Sequence, residues 1–204
     1  NVLLEIKKNK LNVVATDLDL VFFDEISDFK PEKEGSTTTS ATVLYDILKK
    51  LPSNSEIVFS LHNQNKLNIS SDNSKINLLW LPVDNFPNFD EPFANKGINI
   101  NGKKLLTLLN KTKISMSNDE TRHYLNGIFI HMTESDKSSY LTGVATDSHR
   151  LSSSSISLEK NENFKPFILP KKAVFQLCNL LQESDGDIIL SSNDTKIEFK
   201  IGKS

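Results

Sequence analysis

The sequence predicts an α+β fold made of two pseudo-repeated domains, and two observations support this prediction. The first is an internal repeat, because VATD occurs at Val14–Asp17 and again at Val144–Asp147, 130 positions later. The second is that each copy combines strand patterns of period two with a helical stripe of period 3.6. Since one offset keeps strand, corner, helix and hairpin patterns aligned, a duplicated domain is the simplest explanation.

Composition limits the functional classes. The chain has 204 residues, a formal net charge of −2 and a single cysteine, so an internal disulfide is impossible. No apolar run approaches the roughly 20 residues that cross a bilayer. We therefore expect a cytoplasmic protein with no membrane contact. We also expect no cofactor and no metal. The acidic balance disfavours a uniformly basic nucleic-acid binder but allows a local basic face.

The first copy opens with a predicted hairpin, followed by one helix and a small sheet. Its second strand begins at Leu11 and, by the alternation of Leu18, Leu20 and Phe22, is expected to extend to about Ile26. Ser40 is a suitable helix N-cap, and Pro52 stops the helix. The apolar stripe of this helix consists of Leu44, Ile47, Leu48 and Leu51. Three strand patterns follow, at residues 56–61, 66–70 and 75–81.

The second copy repeats these patterns after a proline-rich linker at residues 83–95. We expect domains at residues 1–92 and 93–204. The second helical stripe is Val174, Leu177, Cys178 and Leu181, which makes Cys178 a core residue. A short strand at residues 97–100 and a helix at residues 103–112 are predicted before the first hairpin of this copy, and they have no counterpart in the first copy. From the repeat we expect the first domain to lack about thirty upstream residues and the second to lack its end.

The polar corner after the second VATD contains Asp147, His149 and Arg150. One interpretation is a metal-dependent hydrolase centred on Asp147 and His149. The other is structural, with the aspartate accepting backbone N–H groups at a tight turn. The corner recurs at Asp17 with different neighbours, and no second acid lies at a useful spacing, so the structural interpretation is favoured.

Lysines are concentrated on the predicted helices. Pairs occur at Lys49–Lys50, Lys103–Lys104, Lys111–Lys113 and Lys171–Lys172. For one pair, a solvated helix flank is the simpler explanation. The recurrence on all three helices indicates a shared basic surface, which would follow a phosphate backbone without reading its sequence.

The chain resembles the bacterial DNA polymerase III β subunit family, the sliding clamps. Six segments carry the resemblance: ATDLDL, SATVLYDILKKLP, LPVDNFPNFD, SMSNDETRHYLNGIFI, VATDSHRL and FILPKKAVFQL. The resemblance implies the DNA clamp fold, with helices on the inner face and antiparallel sheets outside. A family protomer has three such domains, and two protomers form a head-to-tail ring. By this resemblance, we expect the chain to correspond to the later part of domain I and most of domain II, with domain III absent.

The resemblance also implies a non-catalytic function. Sliding clamps encircle double-stranded DNA independently of sequence and tether the polymerase as processivity factors. The implied partners are the DNA polymerase III alpha subunit, the clamp loader, other DNA polymerases and repair proteins. The implied DNA-facing residues are Lys50, Arg122, Tyr124, Lys171 and Lys172.

Two further sites follow from the resemblance. Clamp-binding peptides insert a hydrophobic motif into a pocket between domains II and III. The implied domain II wall consists of Leu125, Thr146, Ser148, His149, Arg150 and Leu151, and Ser148 stands where the family usually has glycine. The implied edge for homodimer formation contains Lys75, Ile76 and Leu78.

Overall fold

The structure is a computed structural model that describes residues 1–62, 66–71, 74–89, 97–135, 138–158, 164–193 and 195–202. Its contacts divide the chain into two compact units, Asn1–Asp90 and Glu91–Ser204, named unit 1 and unit 2. Each unit contains antiparallel sheets and helices. In the part of the chain that is described, no helix is long and apolar enough to cross a membrane.

The first sheet of unit 1 has four antiparallel strands in the order β3-β2-β1-β4. They are β1 (Val2–Lys7), β2 (Lys10–Thr16), β3 (Val21–Ile26) and β4 (Gly35–Thr39). Lys8 and Asn9 both have positive φ, as a two-residue hairpin turn requires. The predicted single strand from Leu11 to Ile26 is wrong. The chain turns at residues 17–20, and β3 pairs back against β2.

The rest of unit 1 is one helix and a second sheet. These elements are α1 (Ala41–Lys50), β5 (Val58–His62), β6 (Lys66–Ser71), β7 (Ser74–Leu79) and a 3₁₀ turn at Val83–Asn85. The second sheet has the order β5-β6-β7. Ser40 caps α1 as predicted, because its hydroxyl accepts the Val43 N–H at 3.4 Å.

Unit 2 repeats this arrangement with an additional strand and helix at its start. Its helices are α2 (Gly102–Thr112), α3 (Lys171–Glu183) and a 3₁₀ turn at Lys113–Ser115. Its strands are β8 (Ile98–Asn101), β9 (Gly127–Ser135), β10 (Ser138–Thr146), β11 (Leu151–Leu158), β12 (Phe167–Pro170), β13 (Asp187–Ser192) and β14 (Ile197–Ile201). The two sheets have the orders β11-β10-β9-β12 and β14-β13-β8.

The strand registers refine the repeat. The offset of 130 relates β2 to β10, since Val13 pairs with Asp24 and Gly143 pairs with Ser154. It does not extend to the first strand, because Leu3 pairs with Val14 whereas Phe129 pairs with Val144. The β9–β10 hairpin is therefore four residues longer than the β1–β2 hairpin, and Asn1 corresponds to Gly127.

The core of unit 2 is built around α2. Leu105, Leu108 and Leu109 of this helix are essentially inaccessible, and α2 packs against α3, β10 and β11. Cys178 of α3 belongs to the same core, as predicted, and burial raises the pKa of its thiol. Burial of these side chains is the main source of stability for the unit.

Gly143 makes room for α2 on strand β10. A Cβ atom at this position would lie 2.5 Å from Leu108 Cδ2 and 3.2 Å from Ile128 Cγ2. A Cβ contact of 2.5 Å is essentially never seen in proteins, so strand β10 and Leu108 of α2 approach this closely because residue 143 has no side chain. The pair Gly143 and Leu108 thus sets the spacing between helix and sheet.

We expect Gly143→Val to destabilise unit 2 by about 2 kcal/mol through overpacking. Adding Leu108→Ala should recover part of the loss, because the shortened side chain leaves space for the valine. Urea unfolding of both single variants and the double variant gives the coupling energy, expected to be about 1 kcal/mol or more in favour of the double variant. Gly35→Val is the matched control, since its Cβ would meet no atom within 4 Å. Strict additivity would contradict the proposed contact.

Candidate functional site

The corner between β10 and β11 is a tight turn closed by Thr146 and Arg150. The Thr146 hydroxyl donates to the Arg150 carbonyl at 2.7 Å, and the Asp147 N–H donates to the same oxygen at 3.4 Å. The Ser148 N–H donates to Thr146 Oγ1 at 3.2 Å. Ser148 has φ of 81°, in the left-handed region that glycine adopts most readily.

The Asp147 carboxylate is an acceptor within this turn. Its Oδ1 accepts the backbone N–H groups of His149 and Arg150, each at 3.0 Å, and its Oδ2 accepts Arg150 Nε at 2.9 Å. The two backbone N–H groups, followed by the Arg150 side chain, lower the pKa of Asp147. The structural interpretation of the aspartate is therefore confirmed.

Unit 1 builds the same corner. The Thr16 hydroxyl donates to the Leu20 carbonyl at 2.8 Å, and Asp17 Oδ1 accepts the N–H groups of Asp19 and Leu20. Leu18 takes the place of Ser148 and has the same φ of 81°. The hydrogen-bonded frame is thus common to both units, and only the outward side chains distinguish the two corners.

The corner of unit 2 presents a polar rim beside an apolar side chain. Ser148, His149 and Arg150 are exposed, and Leu151 is 66% exposed at the first position of β11. Thr146 pairs with Leu151 across the hairpin and is half-buried. Such an arrangement can hold an apolar group by burial while the rim supplies hydrogen bonds.

The loop that contains Leu125 is attached to this corner through Arg122. Arg122 Nη1 donates to Ser148 Oγ at 3.2 Å, and its Nε donates to Asp119 Oδ2 at 2.8 Å. Leu125 is half-buried and donates its N–H to the Arg122 carbonyl at 2.8 Å. The structure thus brings five of the predicted pocket residues together at the corner, and Leu125 is connected to them only through Arg122.

Asp119 organises this loop and was not predicted to do so. Its carboxylate accepts the Thr121 hydroxyl at 2.6 Å and the Thr121 N–H at 3.0 Å. These two bonds, followed by Arg122, lower the pKa of Asp119. The opposite charges of Asp119 and Arg122 at a spacing of three were a usable signal for their ion pair. No sequence signal indicated the contact with Ser148.

The residues of unit 2 that were predicted to face DNA lie on or beside the same loop. Lys171 Nζ donates to Asn118 Oδ1, and the Lys171 N–H donates to the Asn126 carbonyl at 3.1 Å. Tyr124 is 68% exposed, and Lys172 is exposed in the first turn of α3. Arg122 is likewise held, by Asp119 and Ser148.

Unit 1 contains the remaining predicted positions. Lys50 is exposed in the last turn of α1. Lys75, Ile76 and Leu78 lie on β7, which is an outer strand of its sheet in the described part of the chain. Lys75 is exposed, and the two apolar residues are half-buried. The three predicted residues thus give this outer strand one charged and two apolar side chains.

The geometry gives no support to the hydrolase alternative. Both oxygens of Asp147 are engaged by the turn and by Arg150. Among the residues that the structure describes, no group of three His, Cys, Asp or Glu side chains could hold a metal ion. The arrangement is therefore suited to binding, with the aspartate supporting the turn.

The fold is that of the DNA sliding clamps. A sliding clamp from Bartonella birtlesii bound to griselimycin superimposes with a TM-score of 0.92 and 36% identity, covering 99% of this chain and 54% of that one. A DNA polymerase sliding clamp from Pseudomonas aeruginosa gives a TM-score of 0.88 and 28% identity, covering 99% and 54%.

Sequence comparison assigns the family. The DNA polymerase III beta subunit N-terminal domain matches residues 1–90, and its central domain matches residues 99–204. Beta sliding clamps from Caulobacter vibrioides and Rickettsia bellii are 30% and 36% identical, covering 99% and 98% of this chain. The chain belongs to the DNA polymerase III beta subunit family. It spans about half of these relatives, 55% and 52% of their lengths.

We expect Asp147→Asn to lower the free energy of unfolding at neutral pH and to leave it unchanged in acid. The pKa of Asp147 is lowered by folding, so its stabilising contribution is present above the ordinary carboxyl pKa of about 4. That contribution disappears as the pH falls through the folded value. Urea unfolding from pH 7 to pH 2 measures the difference, with Glu120→Gln in the neighbouring loop as control. A difference that stays constant over this range would contradict the assignment.

Proposed function

We propose that this chain forms part of a sliding clamp that encircles duplex DNA as a non-catalytic processivity factor in DNA replication. The observation that carries the proposal is the match of both units to consecutive domains of one family. The corner geometry is consistent with it, because Asp147 supports a turn beside which the side chains of His149 and Leu151 are exposed.

Weak electrostatic contacts are sufficient for such a protein. The net charge of −2 is unsuited to tight binding through general basicity. A closed ring retains DNA topologically, so local lysines need only permit sliding along the phosphates. The proposed contacts are Lys50 in unit 1 and Tyr124, Lys171, Lys172 and Arg122 in unit 2.

The corner of unit 2 is proposed to bind peptides. Leu151 provides the apolar surface, and Ser148, His149 and Arg150 provide polar groups around it. Peptides that insert a short hydrophobic motif use anchors of this kind, and rim contacts determine their orientation. A wall contributed by a further domain would complete the pocket in the whole protein.

The proposed partners follow from the ring and the pocket. The DNA polymerase III alpha subunit, the clamp loader, other DNA polymerases and repair proteins would share the peptide site. Homodimerisation of the whole protein would use the β7 edge with Lys75, Ile76 and Leu78. An outer strand with apolar side chains is suited to pairing with another chain. The proposed location is the cytoplasm, where replication of a bacterial chromosome takes place.

Retention on DNA tests the proposal. The full-length protein, loaded on nicked circular duplex, should remain bound through gel filtration in 0.5 M salt, because linkage is topological. Cutting the circle once should release it, since the ring slides off the ends. Contacts to phosphates alone would weaken with salt on both substrates. Equal dissociation from circular and linear DNA would refute the proposal.

Replacing Leu151 tests the pocket. In the full-length protein, Leu151→Ala should weaken a fluorescent peptide carrying a hydrophobic clamp-binding motif by about tenfold, as loss of a buried anchor does. His149→Ala should weaken the peptide less. Fluorescence polarisation measures both affinities. The matched control is Val21→Ala, because Val21 follows the corner of unit 1 as Leu151 follows that of unit 2. Unchanged affinity in Leu151→Ala would remove the pocket assignment.

A further inference from the structure

A basic cleft lies between helix α2 and strand β11 of unit 2. It has a volume of about 240 Å³ and is lined by side chains of both elements. The lysines of α2 that the sequence places on a basic surface lie here, and the function proposed above gives them no specific role. The helix contributes Lys103, Lys104, Thr107 and Lys111, and the strand contributes Ser154, Ser155 and Ile156.

Three residues of α2 form a row along the cleft. Lys104, Thr107 and Lys111 are separated by three and four positions, so they lie on one face of the helix. The spacing between the two lysines corresponds to about 10.5 Å along the helix axis. The Thr107 hydroxyl donates to the Lys103 carbonyl at 2.9 Å, so its proton is already used within the helix. The row therefore has one lysine at each end.

Two of the three lysines in the cleft have no counter-charge. In the part of the chain that the structure describes, Lys104 and Lys111 form no ion pair. Lys103 is paired with Asp185 at 2.8 Å, and this hydrogen bond raises the pKa of Lys103. The described lining includes no carboxylate. A cleft lined by charges of one sign concentrates ions of the opposite sign, so this cleft attracts anions.

Strand β11 supplies a hydroxyl for the opposite wall. Ser154 pairs with Gly143, the residue that Leu108 of α2 approaches closely, so Ser154 faces the helix. Its neighbour Ser153 faces the other side of the sheet, because side chains alternate along a strand. The Ser155 hydroxyl bonds to a threonine of β10 at 2.9 Å. The hydroxyl of half-buried Ser154 has no partner among the described residues and is available to a ligand.

We propose that this cleft binds an oligophosphate group, either as a free anion or as the triphosphate of a nucleotide. Lys104 and Lys111 neutralise its charge, and the Ser154 hydroxyl donates a hydrogen bond from the opposite wall. The cleft is smaller than the pockets of about 300–1,000 Å³ that enclose drug-sized ligands, so an attached nucleoside stays outside. A DNA duplex is too wide to enter and would contact only the lysine ends. The inference does not rest on the function proposed above.

Titration of the 204-residue chain with inorganic tripolyphosphate tests the proposal. At low salt we expect one-to-one binding with a Kd below about 1 mM by isothermal titration calorimetry. Backbone amide chemical shifts should change in α2 and β11 and not in α1. A nucleoside triphosphate of equal affinity would identify the triphosphate as the recognised group, and a weaker one would identify the free anion. Binding of the nucleoside triphosphate alone would overturn the proposal, because the nucleoside would then determine affinity.

Charge variants locate the site. Lys104→Gln combined with Lys111→Gln should weaken tripolyphosphate binding at least tenfold, because both counter-charges are lost. Lys30→Gln combined with Lys33→Gln is the matched control, since it removes the same charge from exposed positions in a loop of unit 1. The control should change the affinity by less than about twofold, because distant exposed charges are screened. Equal losses in the two double variants would overturn the proposal.

A serine pair tests the wall formed by the strand. Ser154→Ala should weaken tripolyphosphate binding about threefold, as loss of one hydrogen bond does, and Ser153→Ala should leave it unchanged. The same loss in both serine variants would contradict the proposed hydrogen bond. Absence of saturable binding to the unaltered chain would overturn the whole proposal. So would a lysine double variant that loses affinity for a short DNA duplex and keeps it for tripolyphosphate, since the lysines would then contact duplex phosphates.

Discussion

A carboxylate that accepts two consecutive backbone N–H groups is the constraint on which the candidate site depends. Asp147 binds the N–H groups of His149 and Arg150 and so determines where the chain leaves β10 and enters β11. The turn therefore sets the orientation of the exposed residues Ser148, His149, Arg150 and Leu151. The Asp147 carboxylate suggests catalysis in the sequence, but its hydrogen bonds within the turn leave it less available to a substrate than the exposed residues that follow it.

Duplication separates architecture from function at this corner. Both units keep the threonine, the aspartate and the left-handed residue after it, so these three features belong to the fold. A non-glycine residue in the left-handed region costs about 1–2 kcal/mol. Leu18 and Ser148 both adopt this conformation, so both turns carry this energetic cost. Only in unit 2 does the residue also gain a side-chain partner, since Ser148 accepts a hydrogen bond from Arg122.

Local patterns predicted most helices and strands, and tertiary contacts account for what they missed. The stripe of α1, its Ser40 cap and the core position of Cys178 follow from spacing and chemistry within a few residues. The break between β2 and β3 was missed because Leu18, Leu20 and Phe22 continue the period-two alternation through the turn. The contact of Arg122 with Ser148 joins positions 26 residues apart, and no local pattern encodes it. The hairpin-length difference emerged only from the strand pairing.

Arg122 links two surfaces that would otherwise be independent. Its guanidinium holds Ser148 in the corner and also lies in the loop that carries Tyr124 and Asn118. If a ligand binds Arg122 and breaks its hydrogen bond to Ser148, the free energy of that bond is subtracted from the binding free energy of the ligand. By thermodynamic reciprocity, a ligand in the corner that displaces Arg122 changes the affinity of the loop for anions by the same factor. If both proposed sites of unit 2 bind ligands, this contact would couple them, with a coupling limited to the strength of a single charged hydrogen bond.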